Sequence, residues 1–494
     1  MTPAIQNSRN VLAVAAIVSV LLSAWAVISH PLLNNDAFSY LRAAEIFNSS
    51  GMQPVLDEYG WYGYAVLIAL ADRLLPTDLL GSAYILNALA YILLTTSFIR
   101  LCLDLHEGPL IGFFAALTVL CFPLINEMRF MLIRDFAFWG FALLSLQQLI
   151  RFCRDGNTLS GIGWCTALLA AIFFRLEGIL LLAVVVFLLT PRSISKGLKL
   201  WMILGGSLLL VMLLSLILQV NLPELIRFAY RYYLPLLYDL GTLLEETSRE
   251  TLDALFSTGN FPGKDNTAHG LVIVLFAYVW SLFANLVNAL GIPLTALILW
   301  SYYHDGFRAS ACSRKPLLLY MAFSALALFL FIVVMQFLTQ RYATLLSLLL
   351  LTQIPALLQK LTDLAQAKGK VQQFRAALSC YVFYFMVDSL FSFGYSTNYI
   401  DESIAWTRSN IPADSRLHTN NFAVAYGSGL VEEYDRISRD VETTLQELAS
   451  GDYLALDLKH DQQEWKERLT ADSNLELLMT FSNTRADEIR IYRR

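Results

Sequence analysis

Leu271 to Tyr302 reads LVIVLFAYVWSLFANLVNALGIPLTALILWSY, an apolar run without one charged side chain. A helix rises about 1.5 Å per residue, so this run outreaches the roughly 30 Å hydrocarbon core of a bilayer. Soluble cores do not need helices that long and that apolar on every face. Gly291-Ile292-Pro293 stands near its middle. Proline removes a backbone donor and strains the turn before it, which predicts a kink there.

Further runs of this kind extend in both directions, at 11–30, 79–101, 109–126, 130–150, 160–174, 177–190, 198–220, 316–337, 342–359 and 376–394. With 271–302 they make about eleven spans, so the expected fold class is an α-helical polytopic membrane protein. The first run is longer than the apolar part of a usual signal peptide and many spans follow it, so it reads as an uncleaved first helix. The fifth and sixth meet at Phe174-Arg175-Leu176-Glu177-Gly178 and predict a tight helical hairpin.

Composition agrees. Mean hydropathy is +0.54 and only 15% of residues are charged, where a soluble protein needs roughly 25%. The charge is uneven: 18 of the 40 acidic residues lie between Asp401 and Glu488. Two domains are therefore expected, an apolar body over 1–396 and a water-soluble tail over 397–494. In the tail, 403–409 reads as helix and 434–449 carries helical periodicity. Strands are expected at 416–419, 453–458, 475–481 and 488–492, which together make a small α/β domain. The net charge of −5 argues against nucleic acid as a partner. None of the six cysteines lies in the tail, so no disulfide framework is implied.

Basic residues orient the chain. With Arg9 inside, alternate short loops hold Arg100; Arg151 and Arg154; Arg192, Lys196 and Lys199; Arg308, Arg314 and Lys315; and Lys360, Lys368, Lys370 and Arg375. Eleven spans satisfy this positive-inside bias, whereas twelve would place basic loops on both sides. The N-terminus is then cytoplasmic and the tail extracytoplasmic, as for a multi-pass protein of a bacterial inner membrane. Two long outer loops are expected, at 31–78 and 221–270. The second carries Tyr230, Tyr232, Tyr233 and Tyr238, residue types suited to the membrane interface.

Ionisable groups against apolar spans are costly and therefore informative. Here Asp36, Glu127, Arg129, Arg134, Asp135, Arg175, Glu177 and Arg341 all fall at the expected outer edge, in four separate loops. Carboxylates can act as bases or hold a metal, and forked guanidinium donors match phosphate. Each of these charges has a plainer reading as an interface anchor, and Arg175 with Glu177 could be a structural ion pair.

The segment Asn35-Asp36-Ala37-Phe38-Ser39-Tyr40-Leu41-Arg42-Ala43-Ala44-Glu45 resembles the first outer loop of the GT-C superfamily of membrane glycosyltransferases. Gly60-Trp61-Tyr62-Gly63-Tyr64 resembles the aromatic segment that follows in that family, without its proline. Phe174-Arg175-Leu176-Glu177-Gly178 is similar to the family's Arg-x-Glu-Gly motif, and Gln340-Arg341-Tyr342 to its Arg-Tyr motif. Residues 400–429, with Trp406, Asn410-Ile411-Pro412 and Tyr426-Gly427-Ser428-Gly429, look like the outer domain of the bacterial protein O-mannosyltransferase-like branch.

The resemblance implies inverting transfer of a hexose or pentose from a polyprenyl-phosphate donor to a lipid, glycan or protein acceptor on the extracytoplasmic face. It makes Asp36 the general base and Asp135 a second carboxylate, which assists the base or holds a divalent cation. Arg341 and Arg175 become donor-phosphate ligands, with Tyr40, Glu177 and Tyr342 in support. The metal requirement stays open at this point, as do the sugar and the acceptor. Other classes are an O-antigen polymerase or ligase, a transporter or flippase of a lipid-linked saccharide, and a scaffold that displays the tail. Transporters usually carry internal repeats and midplane charges; this sequence shows no repeat, and its charges gather at one face.

Overall fold

The structure is a computed structural model. It describes the chain except residues 1–2, 30–32, 59–61, 189–193, 218–239, 257–266, 306–308, 391–395, 432–436, 438–440 and 447. The tyrosines at 230–238 lie outside the described residues, as do Gly60 and Trp61.

The fold is helical with one small sheet. In chain order the first helices are α1 (Pro3–Ser29), α2 (Asn35–Ser50), α3 (Met52–Glu58), α4 (Tyr62–Leu74), α5 (Leu79–Leu105), α6 (Ile111–Leu120), α7 (Pro123–Glu127), α8 (Asp135–Asp155) and α9 (Thr158–Phe174). A 3-10 run over Leu176–Ala183 leads into α10 (Val184–Leu188). Then come α11 (Ile194–Ile217), α12 (Leu240–Phe256), α13 (Thr267–Asp305), α14 (Ala311–Met335), α15 (Gln340–Leu351), α16 (Ile354–Ala367) and α17 (Val371–Leu390). The tail adds α18 (Asn398–Asn410), β1 (Leu417–Thr419), α19 (Phe422–Ser428), α20 (Val441–Gln446), β2 (Tyr453–Leu458), α21 (Gln463–Ala471), β3 (Glu476–Ser482) and β4 (Glu488–Arg493).

As far as they are described, all eleven predicted apolar runs fall on helical segments. Among the described residues, seven helices are long and apolar enough to cross a membrane, and α6, α9 and the 176–188 segment are shorter apolar helices. The protein is an integral membrane protein. In α13 the kink is made by Gly291, at φ 73° and ψ 156°, two residues before Pro293. A side chain would strain that left-handed φ, so glycine supplies the bend that proline's missing donor invites. The hairpin at 174–178 also forms: α9 stops where Arg175 turns extended, at φ −147° and ψ 121°, and the chain re-enters as a 3-10 turn.

Two compact units emerge. One comprises Met1–Ala24, Leu86–Met128 and Arg134–Leu390. The other comprises Trp25–Ile85, Arg129–Ile133 and Phe391–Arg494, so the first long loop and the C-terminal tail pack together.

The tail sheet has the order β1-β2-β4-β3. β1 and β2 run parallel, and the other pairs are antiparallel. Period-two alternation along β2 serves both faces of the sheet. Tyr453 and Ala455 join a core with Tyr399, Leu417, Val424, Ile489 and Ile491. Leu454, Leu456 and Leu458 join the opposite core with Val441, Leu469 and Tyr492. The predicted strands lie within one residue of those observed, whereas α19 and α21 fall in stretches where the sequence predicts no element. Of the expected helix over 434–449, α20 is helical and 437, 448 and 449 are not, while 434–436, 438–440 and 447 lie outside the described residues.

Candidate active site

The predicted residues divide between the two units. Asp135, Arg175, Glu177, Arg341 and Tyr342 belong to the first, Asp36 and Tyr40 to the second.

In the first unit Asp135 opens α8, where the unsatisfied N–H groups of a helix N-terminus favour a carboxylate. It is 0% exposed. A lone carboxylate buried so deeply would be very costly, and two arginines from separate segments supply what it needs. Its Oδ1 accepts from Arg175 Nη1. Its Oδ2 accepts from Arg341 Nη2 at 2.7 Å and from Arg341 Nε at 3.1 Å. Arg175, 6% exposed, also grips Glu177, through Nη2 to Oε1 at 2.7 Å and Nε to Oε2 at 3.3 Å. Arg341 stands in the first turn of α15, where the helix dipole disfavours a cation, and Asp135 offsets that cost.

Two carboxylates and two guanidiniums thus alternate, and the charge of Arg134 acts on both carboxylates as well. Counting Arg134, the group carries one net positive charge. The plain ion pair between Arg175 and Glu177 is present, but it is one link of a larger network. Both oxygens of Asp135 are occupied by guanidinium groups, so the expected base-assisting or cation-holding role would have to compete with two arginines. Among the described residues no group of three or more His, Cys, Asp or Glu side chains gathers to hold a metal.

Tyr342 follows Arg341, and its ring lies 4.8 Å from the Arg175 guanidinium carbon and 5.9 Å from that of Arg341. Such stacking holds a guanidinium plane in place. Phe331 braces Tyr342 from behind, with centroids 4.3 Å apart. Arg175, Glu177 and Tyr342 form the polar wall of a cleft. Its remaining walls are apolar, from Phe138, Trp139, Leu181, Phe323, Phe331 and neighbouring aliphatic side chains. Ser324 also lines it, buried, its hydroxyl without a hydrogen-bond partner among the described residues. The arrangement suits an amphipathic anion: charge against the guanidinium, chain along the aromatic wall.

In the second unit Asp36 occupies the first turn of α2 and is half-buried. Tyr40, one turn on, packs edge-to-face on Tyr64 of α4, with centroids 5.0 Å apart. Asn34 precedes the helix in a position typical of a cap, yet its side chain makes no cap. It clasps the backbone of Leu132 instead, accepting from the Leu132 N–H at 2.8 Å and donating to the carbonyl at 3.4 Å. The sequence reading missed this clasp, as it missed Phe138, Phe331 and Ser324. An asparagine just before a helix signals only a cap, and the aromatic and serine residues look like ordinary span residues.

The remaining edge charges separate. Arg129 is buried in the second unit. Glu127 lines another cleft of the first unit, with Asn288, Gln340, Tyr384 and Asp388. Burial and the Asp388 charge push its carboxyl above the usual range.

No family model matches the chain, and no curated protein matches it. Solved structures do. One is ArnT from Cupriavidus metallidurans bound to undecaprenyl phosphate, with a TM-score of 0.59 and 11% identity over 98% of this chain and 97% of that one. Another is the archaeal oligosaccharyltransferase AglB from Archaeoglobus fulgidus, in complex with an inhibitory peptide and a dolichol-phosphate. There the TM-score is 0.53 and the identity 12%, over 94% of this chain and 71% of that one. At such identities the likeness is one of fold, and it is the GT-C fold that the sequence motifs resemble.

Proposed function

We propose that the chain is a glycosyltransferase that moves a sugar from a polyprenyl-phosphate carrier to an acceptor at the extracytoplasmic membrane face. The observation that carries this reading is the pair of arginines held on Asp135, one of which, Arg175, lines an apolar cleft. A polyprenyl phosphate is an anion on a long apolar chain, and that wall offers a partner to each part. The fold agrees, since ArnT was solved with undecaprenyl phosphate and AglB with dolichol-phosphate.

In this reading Asp36 takes the proton from the acceptor hydroxyl as that oxygen attacks the anomeric carbon. The new C–O bond forms as the bond from the anomeric carbon to the phosphate oxygen breaks, and the electron pair leaves with the carrier phosphate. Attack opposite the leaving group inverts the anomeric centre. Negative charge grows on the phosphate, and fixed cationic donors are most effective where water is excluded. Arg341 is the chief candidate for that work and Arg175 the second. Asp135 acts by aiming both guanidiniums, and Tyr342 by stacking on them.

The test is transfer of radiolabelled sugar from a panel of undecaprenyl-phosphate hexoses and pentoses, using membranes that contain the protein. Arg341→Ala should lower turnover by about 10²–10³-fold, the effect of removing one donor from a charge-stabilising site. Arg341→Lys should recover only part, because lysine lacks the planar fork. Wild-type membranes inert across the whole panel would sink the reading. A lipid-linked saccharide translocated without transfer would put transport in its place.

A further inference from the structure

The role of the soluble tail is open to a structural answer, because the tail and the helix bearing Asp36 belong to one compact unit. The contact is specific. Phe38, buried on α2 two residues beyond Asp36, meets Tyr426 of α19 with ring centroids 5.3 Å apart and planes inclined at 47°. The charges of Glu45 on α2 and of Asp78 act on the same tyrosine.

Tyr426 is itself firmly held. Asn421 caps α19, accepting from the N–H groups of Ala423 at 2.8 Å and Val424 at 3.2 Å. Its amide donates to Asp457 of β2 at 2.9 Å. Val424 is fully buried in the sheet core. The neighbouring Gly427 sits so close to Ile404 of α18 that an added Cβ would lie 2.7 Å from it, and the Gly427 carbonyl accepts from Arg408. The ring pressed on Phe38 is therefore rooted in the sheet rather than in a loose loop.

α2 needs such support. A helix of 16 residues is marginal by itself in water, and Asp36 lies in its first turn, where helices fray. Three holds bracket that turn: Asn34 on Leu132 before it, then Phe38 on Tyr426 and Tyr40 on Tyr64 after it. A base works only within hydrogen-bond reach of its proton, and a misplacement of about 1 Å can cost on the order of 10²-fold in rate.

We infer that the soluble tail braces the Asp36 helix, and that Tyr426 is a positioning residue acting through Phe38. The inference rests on the reading of Asp36 as the base. The experiment compares the full-length protein with Tyr426→Ala and Tyr426→Phe, in lipid nanodiscs. It reads hydrogen–deuterium exchange over residues 35–50, and kcat and KM with undecaprenyl-phosphate sugars. Tyr426→Ala should speed exchange in the first turns of α2 and lower kcat about 10–100-fold, with donor KM within about threefold. Tyr426→Phe keeps the ring and should restore both. Unchanged exchange over α2 overturns the brace, and faster exchange with an unaltered kcat overturns the positioning role of Tyr426. Should Tyr426→Ala not fold, Phe38→Leu tests the same contact from α2 and is read the same way. Should no donor be used by the wild type, the transferase reading fails, while the exchange comparison still decides the brace.

Discussion

Asp36→Asn should abolish transfer, lowering kcat by about 10²–10⁴-fold, the range a positioned general base contributes. Asparagine has nearly the same shape and keeps a hydrogen-bonding oxygen, but it cannot accept a proton at neutral pH. The half-buried place of Asp36 at the start of α2 makes a large stability change unexpected. The midpoint of thermal unfolding in detergent should therefore stay within about 2–3 °C of wild type while activity disappears, in keeping with the small effect of most partly exposed substitutions. Transfer at wild-type rates by a correctly inserted Asp36→Asn protein would remove Asp36 from the chemistry and leave it an interface anchor. Equal losses of activity and folded protein would assign it to structure.

Asp135→Asn should do the reverse, damaging the fold as well as the reaction. The substitution removes the charge on which Arg175 and Arg341 both converge. Breaking a buried ion pair from one side costs roughly 3–5 kcal/mol, because the remaining charge is left without compensation. Here Glu177 still engages Arg175, which softens the loss on that side. A shift of the unfolding midpoint by several degrees is expected in detergent. The double variant Asp135→Asn/Arg341→Gln should recover part of that loss, since one of the two cations that converge on residue 135 is then gone. A double variant as unstable as the sum of the singles would show that Arg341 and Asp135 are not coupled. Catalytic activity should be low in both, which separates stability from the orientation of the guanidiniums.

These two aspartates also show how far the sequence reaches. Both were legible as ionisable residues at the ends of apolar spans, where burial makes a charge conspicuous. Their partners were not equally legible. Arg175 and Glu177 are two residues apart, so their pairing was one open reading of the sequence. Asp135 and Arg341 are separated by 206 positions, and nothing local in either segment names the other. The same holds for Asn34 and Leu132, 98 positions apart, and for Phe38 and Tyr426.

By itself the sequence determined the membrane class, the positions of the apolar helices, the break near Pro293 and the strands of the tail. Those features follow from periodicity, length and backbone chemistry, which act within a few residues of one another. Only the tertiary structure decided which charges meet, which ring lies under Arg175, and that the tail folds against the first long loop rather than standing apart. Such contacts depend on how whole helices pack, and the burial that makes them strong is a property of the assembled fold.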